Sequence, residues 1–298
     1  MLSEDNTERQ KKRWGDRRDG KRVREMDGVH HIMPYLFPNR TDSEVYINEQ
    51  IDMTALVEFL EKKNGEGAEF KTTPFHVIVA AVGKLIYHRP LLNRFVSGRR
   101  YYDRNRITLA FVVRRKITDV SEEMLLELPI TGDTVLEEVS RKIIGDADDL
   151  KKGGGNDIGD ALDFVKKFPR PLMRFVMWAV KVLDYFGKVP KALSAGDPNF
   201  STVLLSNLGS IKCDAPYHHL NNYGTNSIVA TIGVIHKEQV YNEEGIPEIR
   251  DVANIGLTLD ERIADGFYFA RSLKLLKYYL AHPEILERPV KEEVDYEY

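Results

Sequence analysis

The chain has 298 residues, of which 42% are hydrophobic and 30% are charged, a composition that excludes a disordered or fibrous protein. Forty-three Lys and Arg residues against 46 Asp and Glu residues give a net charge of −3, so no overall positive field is available to hold nucleic acid or an anionic membrane. Cys213 is the only cysteine, which excludes a disulfide framework and a cysteine-based metal cluster and favours a reducing compartment. We expect a cytoplasmic protein, because the first residues contain no apolar signal segment. No metal site is expected, because the sequence has no cluster of metal-ligating residues.

The two ends of the chain differ in composition from the middle. Residues 1–26 carry nine Lys or Arg and six Asp or Glu but few apolar side chains, which predicts a flexible, solvated arm. A nucleic-acid-binding tail is the less favoured alternative. We therefore divide the chain into a basic N-terminal arm at 1–38, one domain at 39–288 and an acidic tail at 289–298, which lies on the surface or leaves it.

The spacing of apolar residues alternates between the periods of strands and helices. Residues 44–51 alternate as a half-buried strand, and Asp52 or Thr54 caps a helix that ends at Asn64–Gly65. Pro74 opens a second helix, apolar on all sides and therefore buried. Further strands are predicted at 107–115, 200–208, 226–235 and 253–260, before a closing helix at 267–286. This order predicts an α+β fold, a two-layer sandwich in which helices pack on one side of a mixed, largely antiparallel sheet.

Residues 168–190 form an apolar segment bracketed by prolines. Arg174, Lys181 and Asp184 interrupt it well short of the roughly 18 to 20 uncharged residues that a membrane span requires. It either packs on the core or on a neighbouring subunit, or lies in a bilayer interface. We favour packing, so a membrane partner is not expected.

Polar residues end two of the predicted buried strands. Residues 257–266, LTLDERIADG, pass from an apolar strand through charged residues into a turn. Residues 204–209, LLSNLG, end in a hydroxyl, an amide and a glycine, Gly209, that allows another backbone to come close. Both strand ends can aim a side chain into a cleft.

The chain from about Asp42 to Glu287 resembles the catalytic domain shared by chloramphenicol acetyltransferase and the acyltransferase component of 2-oxo acid dehydrogenase complexes. Four segments in the family's order carry this resemblance: VYINEQIDMTALVEFLEKK, TTPFHVIVAAVGKLIYHRPLLN, VLLSNLGS followed by NSIVATIGVIHKEQV, and LTLDERIADGFYFARSLKLLKYYLAHPEIL. The resemblance implies a chloramphenicol acetyltransferase-like fold that assembles as a homotrimer or a higher assembly, with each active site between neighbouring subunits.

The family motif HxxxDG, often within DHRxxDG, reads DERIADG in this chain, so Glu261 stands in the position of the catalytic histidine. In the family that imidazole removes a proton from the thiol of coenzyme A, or from the hydroxyl or thiol of the acceptor, so that the deprotonated group can attack an acyl carbonyl. An ordinary carboxylate is less basic than imidazole by about two pKa units, which costs roughly 3 kcal/mol, or about a hundredfold in rate. Glu261 is the first candidate for the catalytic base.

The other positions of this motif match the family. Asp265 and Gly266 are the motif's Asp-Gly, and the resemblance implies that the Asp is chiefly structural and pairs with an arginine upstream of the first strand. Arg40 is placed there, which predicts an Arg40–Asp265 ion pair. Arg262 is expected to support the site.

Ser206 and Asn207 belong to the family's S-N-L-G strand end. The resemblance implies that the hydroxyl of Ser206 helps to stabilise the tetrahedral oxyanion, with Asn207 as support. A serine bonded to its own turn is an equally favoured alternative.

His218 and His219 offer a second candidate base. They lie in HHLNNYG, which differs from the family pattern because Tyr223 occupies the position of the Asp. We treat the similarity as coincidence, although the loop after SNLG lies near the acyl and acceptor pockets of relatives.

Two hypotheses about function follow. The first is an acyltransferase that moves an acyl group between coenzyme A, as cosubstrate rather than bound cofactor, or a carrier thiol, and a small-molecule acceptor. The second is a non-catalytic member of the family that acts as a trimeric binding or scaffold protein. The residue at 261 favours the second hypothesis, whereas the intact Asp-Gly and S-N-L-G segments favour the first, which we adopt narrowly.

Overall fold

The computed structural model describes residues 13–114, 123–151, 168–190, 194, 197–242 and 244–296. The strands of this part of the chain are β1 (Gly20–Arg22), β2 (Glu44–Asp52), β3 (Arg94–Ser97), β4 (Arg100–Arg104), β5 (Ile107–Arg114), β6 (Glu123–Ile130), β7 (Val203–Asn207), β8 (Ile228–Ile232), β9 (His236–Tyr241) and β10 (Pro247–Asp260). Its α-helices are α1 (Gly28–Leu36), α2 (Thr54–Lys63), α3 (Pro74–His88), α4 (Leu136–Lys151), α5 (Arg170–Tyr185) and α6 (Gly266–Ala281).

The larger of two sheets has seven strands among the described residues, in the order β2-β10-β8-β7-β5-β6, with β9 paired to β10. The β5–β7 and β7–β8 pairs are parallel and the others are antiparallel. Helices α2, α3, α4 and α6 contact this sheet and one another. The predicted α+β sandwich with helices on one side of a mixed sheet is therefore confirmed.

Helix α3 is the centre of the core. The hydroxyl of Thr73 caps its first turn, Pro74 fits the first helical position, and the residues from His76 to Ile86 are all buried. The helix packs against the apolar face of the sheet, to which Leu205 and Ile255 belong. Ser206, next to Leu205 on β7, lies on the opposite face of the sheet.

The arm predicted at the N-terminus is ordered where the structure describes it. Strand β1 pairs with β4, and β3 completes this second, three-stranded sheet. Buried Arg17 forms ion pairs with Asp19 and Asp184, which offset the cost of burying its charge. The expectation of a flexible arm is therefore wrong for residues 13–26, and residues 1–12 lie outside the described residues.

The C-terminal tail lies on the surface of the domain. Its residue Val290 is buried, and Lys84 of α3 donates hydrogen bonds to the carbonyl oxygens of Pro289 and Glu292 at 3.0 Å each. The tail was predicted either to lie on the surface or to leave it, and over residues 289–296 it lies on the surface.

The apolar segment at 168–190 forms α5. None of the residues of this helix is buried, although several are partly covered, and Val189 after it is buried. No helix in the described parts of the chain is long and apolar enough to cross a membrane.

Candidate functional site

The turn DERIADG is held by a buried ion pair between its first and third residues. The guanidinium of Arg262 donates from Nε and Nη2 to the two carboxylate oxygens of Asp260, each at 2.7 Å. Asp260 is 0% exposed and Arg262 is 2% exposed, so both charges are out of water. Such a two-point pair fixes geometry as well as charge, and it clamps the backbone on both sides of Glu261.

Two further contacts attach this clamp to the rest of the domain. The hydroxyl of Ser43 donates to Asp260 Oδ1 at 2.9 Å, and Arg262 Nη1 donates to the carbonyl oxygen of Phe37 at 2.8 Å. The amide of Glu261 donates to the carbonyl oxygen of Ser43 at 2.9 Å. Sequence reasoning did not find the roles of Asp260 and Ser43, although the D and R of DHRxxDG were a signal for the pair.

Glu261 is partly exposed, and its carboxylate accepts no hydrogen bond from a residue that the structure describes. Its neighbours in sequence are committed to the clamp, so its main chain is fixed while its side chain remains available. A carboxylate in this situation can accept a proton from a substrate.

Asp265 and Gly266 begin helix α6 and form no part of the clamp. Asp265 is exposed, and its carboxylate caps the helix by accepting a hydrogen bond from the amide of Tyr268 at 2.7 Å. A Cβ on Gly266 would meet no atom within 4 Å, so the position has no steric need for glycine. In the structure both residues lie at the start of the helix that follows the site.

The predicted Arg40–Asp265 ion pair is wrong. Arg40 is buried and donates instead to three carbonyl oxygens, those of Asn221 at 2.9 Å, Val96 at 3.0 Å and Gly224 at 2.7 Å. Burial lowers the pKa of its guanidinium to about 10, an effect that the nearby carboxylate of Asp260 opposes. Arg40 therefore connects the loop after SNLG to β3. Asp265 bonds only within the first turn of α6, among the residues that the structure describes.

The loop after SNLG carries His218 and His219 to the same end of the sheet as Glu261. The amide of Leu220 donates to the carboxylate of Glu44, and Glu44 is paired with Asp260 in the β2–β10 register. The ring Nδ1 of His218 lies 2.8 Å from the carbonyl oxygen of His219. Because a carbonyl only accepts, Nδ1 carries the proton, and Nε2 of a neutral His218 is the basic nitrogen.

Ser206 lies on β7 and faces away from the helices, since its neighbour Leu205 is in the core. Its hydroxyl makes no hydrogen bond with a described residue, so the predicted alternative of a serine bonded to its own turn is not observed. Asn207 follows at the strand end, where its carbonyl accepts from the hydroxyl of Ser210. A Cβ on Gly209 would come within 2.6 Å of the carbonyl oxygen of Gly233, which confirms the close approach of two backbones.

Within one chain Ser206 and Glu261 are not brought together. Ser206 is paired with Thr231, which is paired with Gly256 of β10. Glu261 follows Gly256 by five residues, or roughly 15 Å along the strand direction. The structure thus groups Glu261, Arg262, Arg40 and the two histidines at one end of the sheet and leaves Ser206 and Asn207 apart.

Two cationic clefts lie near this end of the sheet. One, of about 270 Å³, is lined by Arg40, Arg99, Lys181 and Arg262 among others. The other, of about 570 Å³, is lined by residues that include Arg18, Arg104, Asn105 and Arg106. No group of three metal-ligating side chains occurs among the described residues.

Comparison with known proteins gives a family match for part of the chain and a fold match for most of it. Residues 189–287, about a third of the chain, match the family model of the 2-oxoacid dehydrogenases acyltransferase (catalytic domain). The structure is similar to a probable dihydrolipoamide acetyltransferase from Listeria monocytogenes, with a TM-score of 0.58 and 16% identity over 89% of this chain and 96% of that chain. It is also similar to the cubic core of the pyruvate dehydrogenase multienzyme complex, with a TM-score of 0.59 and 15% identity over 89% of this chain and 93% of that one.

A third similar structure is a chloramphenicol acetyltransferase, with a TM-score of 0.51 and 12% identity over 88% of this chain and 99% of that chain. The chain has the chloramphenicol acetyltransferase-like fold. The resemblance to the acyltransferase catalytic domain, first drawn from sequence motifs, is confirmed by the family model over the segment that contains SNLG and DERIADG. No curated protein sequence matches the chain.

Proposed function

We propose that the protein is an acyltransferase that moves an acyl group between coenzyme A, or a carrier thiol, and a small acceptor, with Glu261 as the general base. The observation that carries this proposal is the clamp around Glu261. A buried ion pair is costly to desolvate and is not needed for stability, since apolar residues of similar size often serve as well. Its presence on both sides of an available carboxylate supports a positioned catalytic group.

The reaction requires one proton to move in two steps. Glu261 removes the proton from the attacking thiol or hydroxyl, and the resulting anion adds to the acyl carbonyl to form a tetrahedral oxyanion. The oxyanion collapses, the bond to the original thiol breaks, and the departing thiolate takes the proton from Glu261. In this proposal the hydroxyl of Ser206 from a neighbouring subunit donates a hydrogen bond to the oxyanion.

The proposal requires a second copy of the chain. Ser206 and Glu261 of one chain are separated along the sheet, so the two groups meet only if a neighbouring subunit supplies one of them. The family resemblance implies a homotrimer with active sites between subunits. We therefore extend the proposal to a trimer in which Glu261 of one subunit faces Ser206 of the next.

The phosphates of coenzyme A need cationic partners. In the cleft of about 570 Å³, Arg106 is exposed and makes no hydrogen bond with a described residue. Partly buried Arg104 donates from its Nη atoms to carbonyl and hydroxyl oxygens of Phe200 and Thr225. We assign the phosphates to this cleft, with Arg106 as the available cation.

A non-catalytic scaffold is the second candidate, and one observation favours it. Glutamate at 261 is a weaker base than the family's histidine, with an expected penalty of about a hundredfold in rate. On this alternative the clamp only preserves the shape of a subunit contact.

The deciding experiment is thiol release from acetyl-coenzyme A with a panel of small acceptors, for the native chain and for Glu261→Gln and Glu261→His. We expect native activity, a loss of about a hundredfold or more in Glu261→Gln, and retained or higher activity in Glu261→His. Full activity in Glu261→Gln with loss in His218→Asn or His219→Asn would move the role of base to the histidine loop. Native inactivity together with activity in Glu261→His would overturn the proposal in favour of the scaffold.

A further inference from the structure

Helix α5 presents a large apolar surface to solvent. Phe175 is 62% exposed, Trp178 is 60% exposed and Phe186, just after the helix, is 64% exposed. Leu172 and Tyr185 are also more than 40% exposed. Soluble monomers rarely expose a contiguous apolar patch of this kind, so the surface is expected to have a partner.

A row of cations lies beside these aromatic side chains. Successive helical residues turn by about 100°, so Arg170, Lys181 and Arg174 fall within about 40° of one another. Tyr185, Trp178 and Phe175 occupy the next arc of about 100°. All six are exposed, so one side of the helix combines aromatic rings with positive charge.

The acidic residue of the helix does not balance this charge. Asp184 lies on the other side of the cationic row and accepts hydrogen bonds from buried Arg17 at 3.0 Å and from the hydroxyl of Ser97 at 3.4 Å. Its negative charge is therefore paired inside the domain. The exposed side of α5 carries three cations and no carboxylate.

Helix α1 extends the same surface. Its exposed residues Val29, Ile32 and Leu36 are spaced as one helical face. Tyr35 of α1 and Tyr185 of α5 flank the β3–β4 turn: the guanidinium of Arg99 lies 5.3 Å from the Tyr35 ring, and a Cβ on Gly98 would come within 2.5 Å of the carbonyl oxygen of Tyr185. Exposed Arg99 and the two helices thus form one basic apolar surface.

We propose that this surface, formed by α5, α1 and Arg99, docks the protein on an anionic phospholipid bilayer. The aromatic arc of α5 would lie at the level of the lipid headgroups and the adjacent cations would meet the phosphates. A two-fold contact of α5 with its copy is less suited to this surface, because it would bring the two cationic rows together and α5 itself has no exposed carboxylate to pair them. The proposal is independent of the proposed acyl transfer.

The test is cosedimentation of the full chain with vesicles of phosphatidylglycerol and phosphatidylcholine, compared with vesicles of phosphatidylcholine alone. We expect binding only to the anionic vesicles, with loss at high salt. A Trp14→Phe variant leaves Trp178 as the sole tryptophan, and its emission is expected to shift to shorter wavelength on binding.

Two double variants test the aromatic and the cationic residues of the surface separately. Phe175→Ser with Trp178→Ser, and Arg170→Glu with Arg174→Glu, are each expected to weaken binding by about tenfold or more. The matched control, Ile246→Ser with Ile249→Ser, replaces two exposed apolar residues on the β9–β10 hairpin and is expected to bind as the native chain does.

Failure of the native chain to bind anionic vesicles, or equal binding by the Phe175 and Trp178 double variant, would overturn the proposal. Sedimentation velocity identifies the competing partner. If the aromatic variant is a smaller oligomer than the native chain and neither binds vesicles, the surface is a contact between copies and the proposal is wrong. Acetyl-coenzyme A turnover, which is measured without lipid, is expected to be unchanged in both double variants.

Discussion

Asp260 and Arg262 form a two-point ion pair across the backbone of Glu261, with both side chains out of water. The pair explains how the candidate base keeps a fixed main chain while its carboxylate stays available. Arg262, next to Glu261 in sequence, donates from Nε and Nη2 to Asp260 and from Nη1 to the carbonyl oxygen of Phe37.

Breaking this pair is expected to destabilise the fold strongly. Asp260→Ala leaves the guanidinium of Arg262 buried without its counter-charge, and we expect a loss of about 3–5 kcal/mol in the free energy of unfolding by urea. The control is the double variant Asp260→Leu with Arg262→Met, which removes both charges and should recover much of the loss. A loss below about 1 kcal/mol in Asp260→Ala would contradict a structural clamp.

Arg40 and Asp265 are expected to act independently. Arg40→Met leaves three carbonyl oxygens without their donor and should cost about 3 kcal/mol, whereas Asp265→Ala removes one helix cap and should cost about 1 kcal/mol. In a double-mutant cycle the coupling energy between the two should stay below about 0.5 kcal/mol. A coupling above about 1.5 kcal/mol would restore the ion pair that the sequence predicted.

Ser206 is expected to affect turnover and not stability. If its hydroxyl supports the oxyanion, Ser206→Ala should lower kcat by about a hundredfold with KM and urea stability unchanged. The control is Ser210→Ala in the turn after β7, whose exposed hydroxyl bonds, among the residues that the structure describes, only the carbonyl of Asn207. Equal activity of the two variants would remove Ser206 from the mechanism.

The strands and helices that could be predicted from sequence are those whose signal, either apolar periodicity or a helix start, lies within the element itself. The alternation over 44–51, the Thr73-Pro74 start of α3 and the apolar strand at 253–260 each lie within one element, and the structure has β2, α3 and β10 at those places. Short strands β3 and β4 were missed because four and five residues give little periodicity. Their turn was marked only by Gly98, which adopts φ 56°.

The partners of charged residues could not be predicted in the same way. Arg17 reaches Asp184, and Arg40 reaches Gly224, across more than 160 residues of chain in each case. Which carboxylate or carbonyl an arginine meets depends on how whole elements pack, and motif spacing does not specify it. The partner predicted for Arg40 was therefore wrong, and the roles of Glu261 and Ser206 stay predictions.

His76 is expected to make stability depend on pH. It is 5% exposed, its Nδ1 accepts a hydrogen bond from the amide of Thr73, and burial lowers its pKa to about 4. The unfolded chain takes up this proton near pH 6.5 and the folded chain does not until about pH 4, so stability is lost as the pH falls through this window.

Urea unfolding measured across that window, for the native chain and for His76→Gln, tests this expectation. Gln retains an acceptor for the Thr73 amide but has no proton to bind, so the native chain should lose about 3 kcal/mol relative to the variant between about pH 6.5 and pH 4. The difference between the two chains cancels the titration of His88, whose pKa burial also lowers, and of the carboxylates. Parallel curves would mean that the folded state accommodates a charged His76, and that the buried start of α3 is open to water.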